Sequence, residues 1–433
     1  VVLPELSPTL IRRRLTSLFP EELIEGIARE RDAVQRHRKI DITMLVWSLI
    51  LGFAVDGETR SIAAFQRAYQ TATNQKVSRS SFYDRFTPEF HNLLSDLLAH
   101  ALEEIAPPHT IVPQLTQFRD TMLADATVFR LHRLLTAFPA THEEQSGAQL
   151  FLVYNMTRRT LSRFSLTDER THESSQFRTG NWLRGRLFLF DLGFYSYRRF
   201  ALIDENDGYF VSRLKTNSNP RIVGERRKWR GRAISLTGSH LQDHLSKLMR
   251  KHIDVTGEFD FKRRQYGKTR SSATVEFRVV GVRNEDTDDY HLYVTNLPGE
   301  FTPEQVAALY SLRWKIELLF RELKSRYGLE KFETGDEAIA ELLVTAALLT
   351  LTVSRALLTV FQEIDPDVEY PEERWATTFR SVAQPVFLDL ALALGHPPPN
   401  LPEQMRREAR QPDRSRLTLN KHVAQAFNRE VQP

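Results

Sequence analysis

Apolar residues recur at three- and four-residue spacing in four early segments, residues 21–36, 42–53, 61–71 and 90–105. That period marks helices with one buried stripe. Residues 61–70 and 77–86 flank a polar connector containing Asn74, the pattern of a helix-turn-helix. Ser78 or Ser80 is the expected cap of the second helix, with Arg79, Ser81, Tyr83 and Arg85 turned outward, where a recognition helix meets DNA. Pro107, Pro108 and Pro113 then punctuate the chain.

Beyond them the period shortens. Residues 121–130, 150–156, 161–168, 187–191 and 209–214 are short apolar and aromatic runs between polar turns, and read as strands. Two more strand-like runs, 273–282 and 290–295, follow before helical spacing returns from Pro303 through about Phe361. The greasiest stretch, 342–361, contains Arg355 and several Thr and Ser, so a buried helix is expected there and not a membrane span. The tail, with Pro397, Pro398, Pro399 and many charges, reads as loosely packed or as a partner contact.

A chain of 433 residues exceeds what one hydrophobic core organises, so several domains are expected. With 41% hydrophobic and 26% charged residues it reads as an ordinary globular protein. It has no cysteine, which excludes disulfides, thiolate nucleophiles and cysteine-held zinc or iron–sulfur sites, and suits a reducing cytosol. No phosphate-binding loop or dinucleotide fingerprint is present, which argues against nucleotide-driven chemistry. Arg12, Arg13 and Arg14 interrupt any apolar leader, so a cytoplasmic protein, on the nucleoid when bound to DNA, is expected. The net charge of +4 says little, but residues 211–270 hold sixteen Lys and Arg against five Asp and Glu. The plain reading of that excess is a solvated face; the sharper one is a surface that neutralises phosphates, with Arg227, Lys228 and Trp229 at its densest point.

The candidate chemistry is carried by acids. On a helix, Tyr310, Arg313, Glu317 and Lys324 fall within roughly 60° of one another, while Leu309, Leu312, Ile316, Leu319 and Leu323 form an apolar seam on another face. Alone this is an amphipathic helix with an Arg–Glu pair four residues apart. Two aspartates change the weighting: Asp125 lies inside an otherwise apolar run, and Asp191 ends another just before Gly193. Two strand aspartates and a helix glutamate held together repel unless a cation lies between them. Oxygen ligands without cysteine favour Mg2+ or Mn2+, and two such ions about 4 Å apart activate a water or hydroxyl for phosphodiester cleavage. Asp120, Asp204, Glu205 and Asp207 compete for these roles, whereas His132 and His172 lack ligand-like spacing.

The spacing Tyr310-x2-Arg313-x3-Glu317-x6-Lys324 resembles the signature of bacterial insertion-sequence transposases of the IS-four type. Asp125 in ADATVFRL and Asp191 in DLGFYS resemble that family's two aspartates, and YFVSRLK at 209–215 resembles the segment after the second. The likeness covers about residues 120–361. It implies an α/β fold: a ribonuclease H-like core at 116–219 and 297–365, interrupted by a β-rich basic insertion at 220–296. A helical DNA-binding domain at 1–115 would precede it, and 366–433 is the candidate for dimerisation. It also implies cut-and-paste DNA transposition with Asp125, Asp191 and Glu317 as catalytic, metal-holding residues, two ions per site, and Tyr310, Arg313 and Lys324 on phosphates. The expected partners are double-stranded DNA, both terminal inverted repeats and target, and a second copy of the chain, since one chain carries one acidic triad for two ends. For an aromatic residue that stacks on a flipped base, the candidates are Trp229, Tyr290 and Tyr293. A non-catalytic end-binding protein and a ribonuclease H-like nuclease without strand transfer are the alternatives.

Overall fold

The computed structural model describes residues 8–409 apart from 35–39, 56–60, 105–112, 132–134, 136–137, 142–145, 159, 227, 230–231, 234–235, 249, 264–270, 285–288, 330–333 and 366. Six helices come first: α1 (Pro8–Leu18), α2 (Glu21–Glu30), α3 (Ile42–Ala54), α4 (Ile62–Thr73), α5 (Arg79–Tyr83) and α6 (Pro88–Glu104). The strands and small helices follow as β1 (Asp120–Leu131), β2 (Ser146–Asn155), β3 (Thr160–Asp168), β4 (Arg186–Phe190), α7 (Tyr197–Glu205), β5 (Tyr209–Arg213) and β6 (Arg221–Glu225). Next are β7 (Lys228–Trp229), β8 (Arg232–Ala233), α8 (Gln242–Leu245), β9 (His252–Lys262), β10 (Ser272–Arg283) and β11 (Tyr290–Thr295). The chain closes with α9 (Pro303–Ser311), α10 (Trp314–Ser325), α11 (Glu337–Ile364), α12 (Glu372–Ala393) and α13 (Leu401–Ala409).

Nine strands make one sheet, in the order β3-β2-β1-β4-β5-β11-β10-β9-β6. β1, β4 and β5 are parallel neighbours; every other pairing is antiparallel. The strands from the basic stretch therefore continue the sheet of the first five, because β11 pairs with β5 through Tyr293↔Arg213 and Thr295↔Val211. Part of the positive charge there is spent inside the fold. Arg221 pairs with Glu258 at 2.7 Å, and Arg250 with Glu225.

Alternation decides which face each strand residue meets. In β4, Leu187 and Leu189 join the cluster shared with the helices, while Phe188 and Phe190 join a second cluster around Phe200 and Phe210. Leu123 and Phe129 of β1 belong to the helical side, and Met122 and Ala124 to the other. The central strands are thus buried on both faces, as parallel strands usually are. α11 lies in the middle of the first cluster against α3 and α6. It is long and apolar enough to cross a membrane, yet 89% of its most apolar window is buried inside the fold, as expected for a core helix.

Four local expectations differ from the structure. α2 stops at Glu30 instead of continuing to residue 36, and Asp32 takes a positive φ of 55°, which ends the helical path. The second helix of the α4–α5 pair spans only Arg79–Tyr83, since Pro88 opens α6 a few residues later. The helix expected across 310–324 is divided at Leu312 and Arg313, where the backbone bonds tighten to three-residue spacing. The first part of the tail is not loose: α12 buries Ala376, Phe379, Ala383, Phe387 and Leu390 against α1, α3 and α4, whereas residues 410–433 lie outside the described residues.

Candidate active site

β1 and β4 run parallel with Ala124 opposite Phe190, so Asp125 and Asp191, each one residue further on, emerge side by side. Asp125 is opposite Leu152 on its other flank, and one of its carboxylate oxygens accepts the Ala126 amide at 2.8 Å. By alternation it shares the Leu123 face, over which α10 packs. Ile316, Leu319, Phe320 and Leu323 anchor that helix in the core, which leaves Glu317 on its sheet-facing polar edge.

One guanidinium spans the three acids. Arg313 donates to Glu317 at 2.6 Å and stands 3.9 Å from both Asp125 and Asp191. Burial opposes its charge, but Asp191 and Glu317 more than offset this and hold it protonated. Its Nε is buried and makes no hydrogen bond. Asp125 is the most enclosed of the acids, with its side chain 15% exposed against 43% for Asp191 and 33% for Glu317. Burial pushes its carboxyl up to about 7, opposed by the Ala126 amide and Arg313 and reinforced by the charges of Asp191 and Glu173. Among the described residues, no three acidic or histidine side chains close on one point as the ligands of a single ion do. Arg313 stands between them instead.

The other helix positions also face this cleft. The Tyr310 ring lies 5.2 Å from that of Tyr293 and 5.7 Å from the Arg313 guanidinium, and burial, then Asp191, raises its hydroxyl pKa. Lys324 donates to the Val128 carbonyl of β1 at 2.6 Å, three residues past Asp125. The signature residues therefore line one cleft over the sheet, Tyr310 against β11, Lys324 against β1, and Arg313 between Glu317 and the two aspartates.

The competing acids are elsewhere engaged. Asp120 is 1% exposed and held by Arg186 at 2.8 Å and Asn155 at 2.9 Å, an anchor under the strands and not a cleft residue. Asp204 accepts from Asn296, Glu205 is exposed, and Asp207 turns the chain at φ 56°. His172 caps the 3₁₀ turn Glu173–Ser175 through the Ser174 amide. His132 and Arg227 lie outside the described residues, and Lys228 and Trp229 are described only as the short strand β7. Tyr290 is turned away, its hydroxyl on the Leu248 carbonyl at 3.1 Å. Glu173, which faces Asp191, was not among the expected residues; its segment is polar and aperiodic, and the nearest local sign was Gly193.

The α4–α5 pair is built as a turn between two helices. Asn74 caps α4 in the left-handed region at φ 54°, and Ser78 accepts the Ser81 amide. Gln66 and Gln70 hold Val77 by its carbonyl and amide at 2.8 and 3.2 Å. Arg79, Ser81 and Tyr83 are exposed and Arg85 half-buried.

Residues 116–353 match the family described as "Transposase DDE domain". The transposase for insertion sequence element IS231F of Bacillus thuringiensis subsp. israelensis is 23% identical over 368 residues, covering 76% of this chain and 75% of the relative. The IS231B transposase of Bacillus thuringiensis subsp. berliner is 22% identical over 377 residues, covering 79% and 77%. In fold, the chain is similar to the piggyBac transposase, whose synaptic complex with hairpin DNA has been solved by cryo-EM. The TM-score is 0.52 at 9% identity, over 95% of this chain and 87% of that one. With more than half of its length matched and its acids converging on one cleft, the chain belongs to the DDE-domain transposases of insertion-sequence elements.

Proposed function

We propose that this transposase cuts double-stranded DNA at the terminal inverted repeats of its element and joins the freed 3′-hydroxyl to target DNA, with Asp125, Asp191 and Glu317 as its catalytic acids. The observation that carries the reading is that a single guanidinium reaches all three acids from three separate elements, β1, the end of β4 and α10. Three carboxylates so placed form a site that calls for positive charge, and the orphaned Arg313 Nε marks a cation not bonded as fully as its burial demands. The donor set is all carboxylate oxygen, which suits the divalent ions that transposases of this family generally use. Asp125, Asp191 and Glu317 would hold two Mg2+ or Mn2+ ions, which when bound polarise a phosphodiester and activate the attacking hydroxyl.

The chain's own residues orient the DNA. Arg313 withdraws from the acids and takes a phosphate of the terminal strand, which frees the carboxylates. Lys324 and the Tyr310 hydroxyl border the same cleft and hold neighbouring phosphates, and the Tyr293 ring braces Tyr310. In this reading residues 116–219 and 297–365 are the ribonuclease H-like core, and 220–296 are its basic β-rich insertion. The α4–α5 pair, through Arg79 and Arg85, and the Arg227–Trp229 segment grip DNA away from the scissile phosphate. Two chains on paired ends complete the assembly, because one chain has one acidic cluster. Incubation with DNA carrying the element's flanking ends and Mg2+ tests this: cleavage at the ends and joined products are expected. End binding with no cleavage would contradict it.

A further inference from the structure

Two short turns meet beside Asp191. One is the 3₁₀ turn Glu173–Ser175; the other, Leu192–Phe194, follows Asp191 directly. Arg199 of α7 clasps them, donating to the Ser174 carbonyl at 2.5 Å and to the Phe194 carbonyl. The clasp brings the Glu173 carboxylate over Gly193. A Cβ at position 193 would lie 1.8 Å from Glu173 Oε1 and 2.8 Å from its Cδ, closer than atoms approach. Gly193 is not among the glycines with positive φ, so its backbone does not demand glycine; the approach of Glu173 does.

This carboxylate has no evident structural task. Among the described residues no group donates it a hydrogen bond, and the positive charge that balances it, on Arg199, acts through space. It is half-buried, which raises its pKa, and Asp191 raises it further. Its charge also reaches Asp125. Packing a further acid beside two others costs repulsion that a fold avoids unless a cation repays it.

We propose that Glu173 is a positioning residue of the transposase reaction: acting through Asp191, it adds a fourth negative charge that draws divalent cations to the Asp125–Asp191 pair, and Gly193 is glycine to admit it. The inference rests on the reading of Asp125, Asp191 and Glu317 as the cation site.

The test is Mn2+ binding to the full chain without DNA, followed by calorimetry or by the loss of free Mn2+ resonance signal, on wild type, Glu173→Gln, Gly193→Ala and Asp125→Asn. Glu173→Gln keeps the shape and removes only the charge; its Mn2+ affinity should fall about tenfold, the size of effect usual for groups that support ligands from outside. Gly193→Ala keeps the charge but displaces the carboxylate, and should weaken binding in the same direction, which covers the case in which Glu173→Gln fails to fold. Asp125→Asn should abolish binding at the tight site. Unchanged affinity in Glu173→Gln or, should that variant not fold, in Gly193→Ala, with binding lost in Asp125→Asn, overturns the inference and leaves the site reading standing. Unchanged affinity in Asp125→Asn overturns the site reading, and the inference with it.

Discussion

Arg355 sets up a sharp test of how the helix bearing Glu317 is held. Its side chain is 2% exposed, in the middle of α11, and its Nη2 lies 2.5 Å from Glu322 of α10 and 3.3 Å from Glu372 of α12. One cation thus ties three helices together. Glu322 is itself only 7% exposed, so Arg355→Met strands a carboxylate in the core. Removing one partner of a buried pair costs about 3–5 kcal/mol, far more than a surface bridge contributes. Glu322→Gln should cost less, about 1–3 kcal/mol, because Arg355 keeps Glu372 while only one charged hydrogen bond is lost. The pH dependence has a definite sign. Burial raises the Glu322 carboxyl pKa and Arg355 is the largest influence lowering it, so the variant's carboxyl rises further. An acid whose folded pKa exceeds its unfolded value of about 4.3 stays protonated in the fold while the unfolded chain ionises. Stability is therefore lost as pH rises through that window, and Arg355→Met should be closer to wild type at pH 5 than at pH 8. Urea denaturation at the two pH values reads this directly. A variant that unfolds with wild type at both, or is worse at the lower pH, would refute the reasoning.

Lys324→Ala should weaken end-DNA binding and reduce the slope of log affinity against log salt by about one, as for a single lost phosphate contact; binding measured across salt concentrations decides it. Arg313→Gln leaves Asp125, Asp191 and Glu317 without their shared cation, so the protein without metal should melt at a lower temperature and gain more from added Mg2+ than wild type does. Asn74→Ala forces a Cβ-bearing residue without a polar side chain into the left-handed region and should cost about 1 kcal/mol, while Asn74→Gly should be near neutral, both read by denaturation.

Much of the candidate site was legible because its residues sit on regular elements. The β4 run alternates Leu and Phe, so its strand and the position of Asp191 at its end followed from the pattern. The apolar seam through Ile316, Leu319 and Leu323 placed Glu317 on the opposite edge of its helix. The break at Leu312–Arg313 was not legible, because both halves are helical and the apolar spacing runs straight through it. Asp120 and Asp125 lie on one strand in similar company; only the long-range partners Arg186 and Asn155 separate the anchor from the cleft acid. Glu173 stands in a turn without periodicity, so its approach to Gly193 exists only in three dimensions. In α12 the apolar spacing was present, but Pro385 and the charges around it obscured a helix whose partners are hundreds of residues away.

The central claim is that Asp125, Asp191 and Glu317 form one catalytic cluster that acts on DNA without being needed to hold it. Cleavage and band-shift measurements, run side by side on end DNA with Mg2+ for Asp125→Asn, Asp191→Asn and Glu317→Gln, test it most directly. The account predicts that each variant retains end binding while cleavage falls below detection in all three. Cleavage near the wild-type rate in any one of them would contradict it.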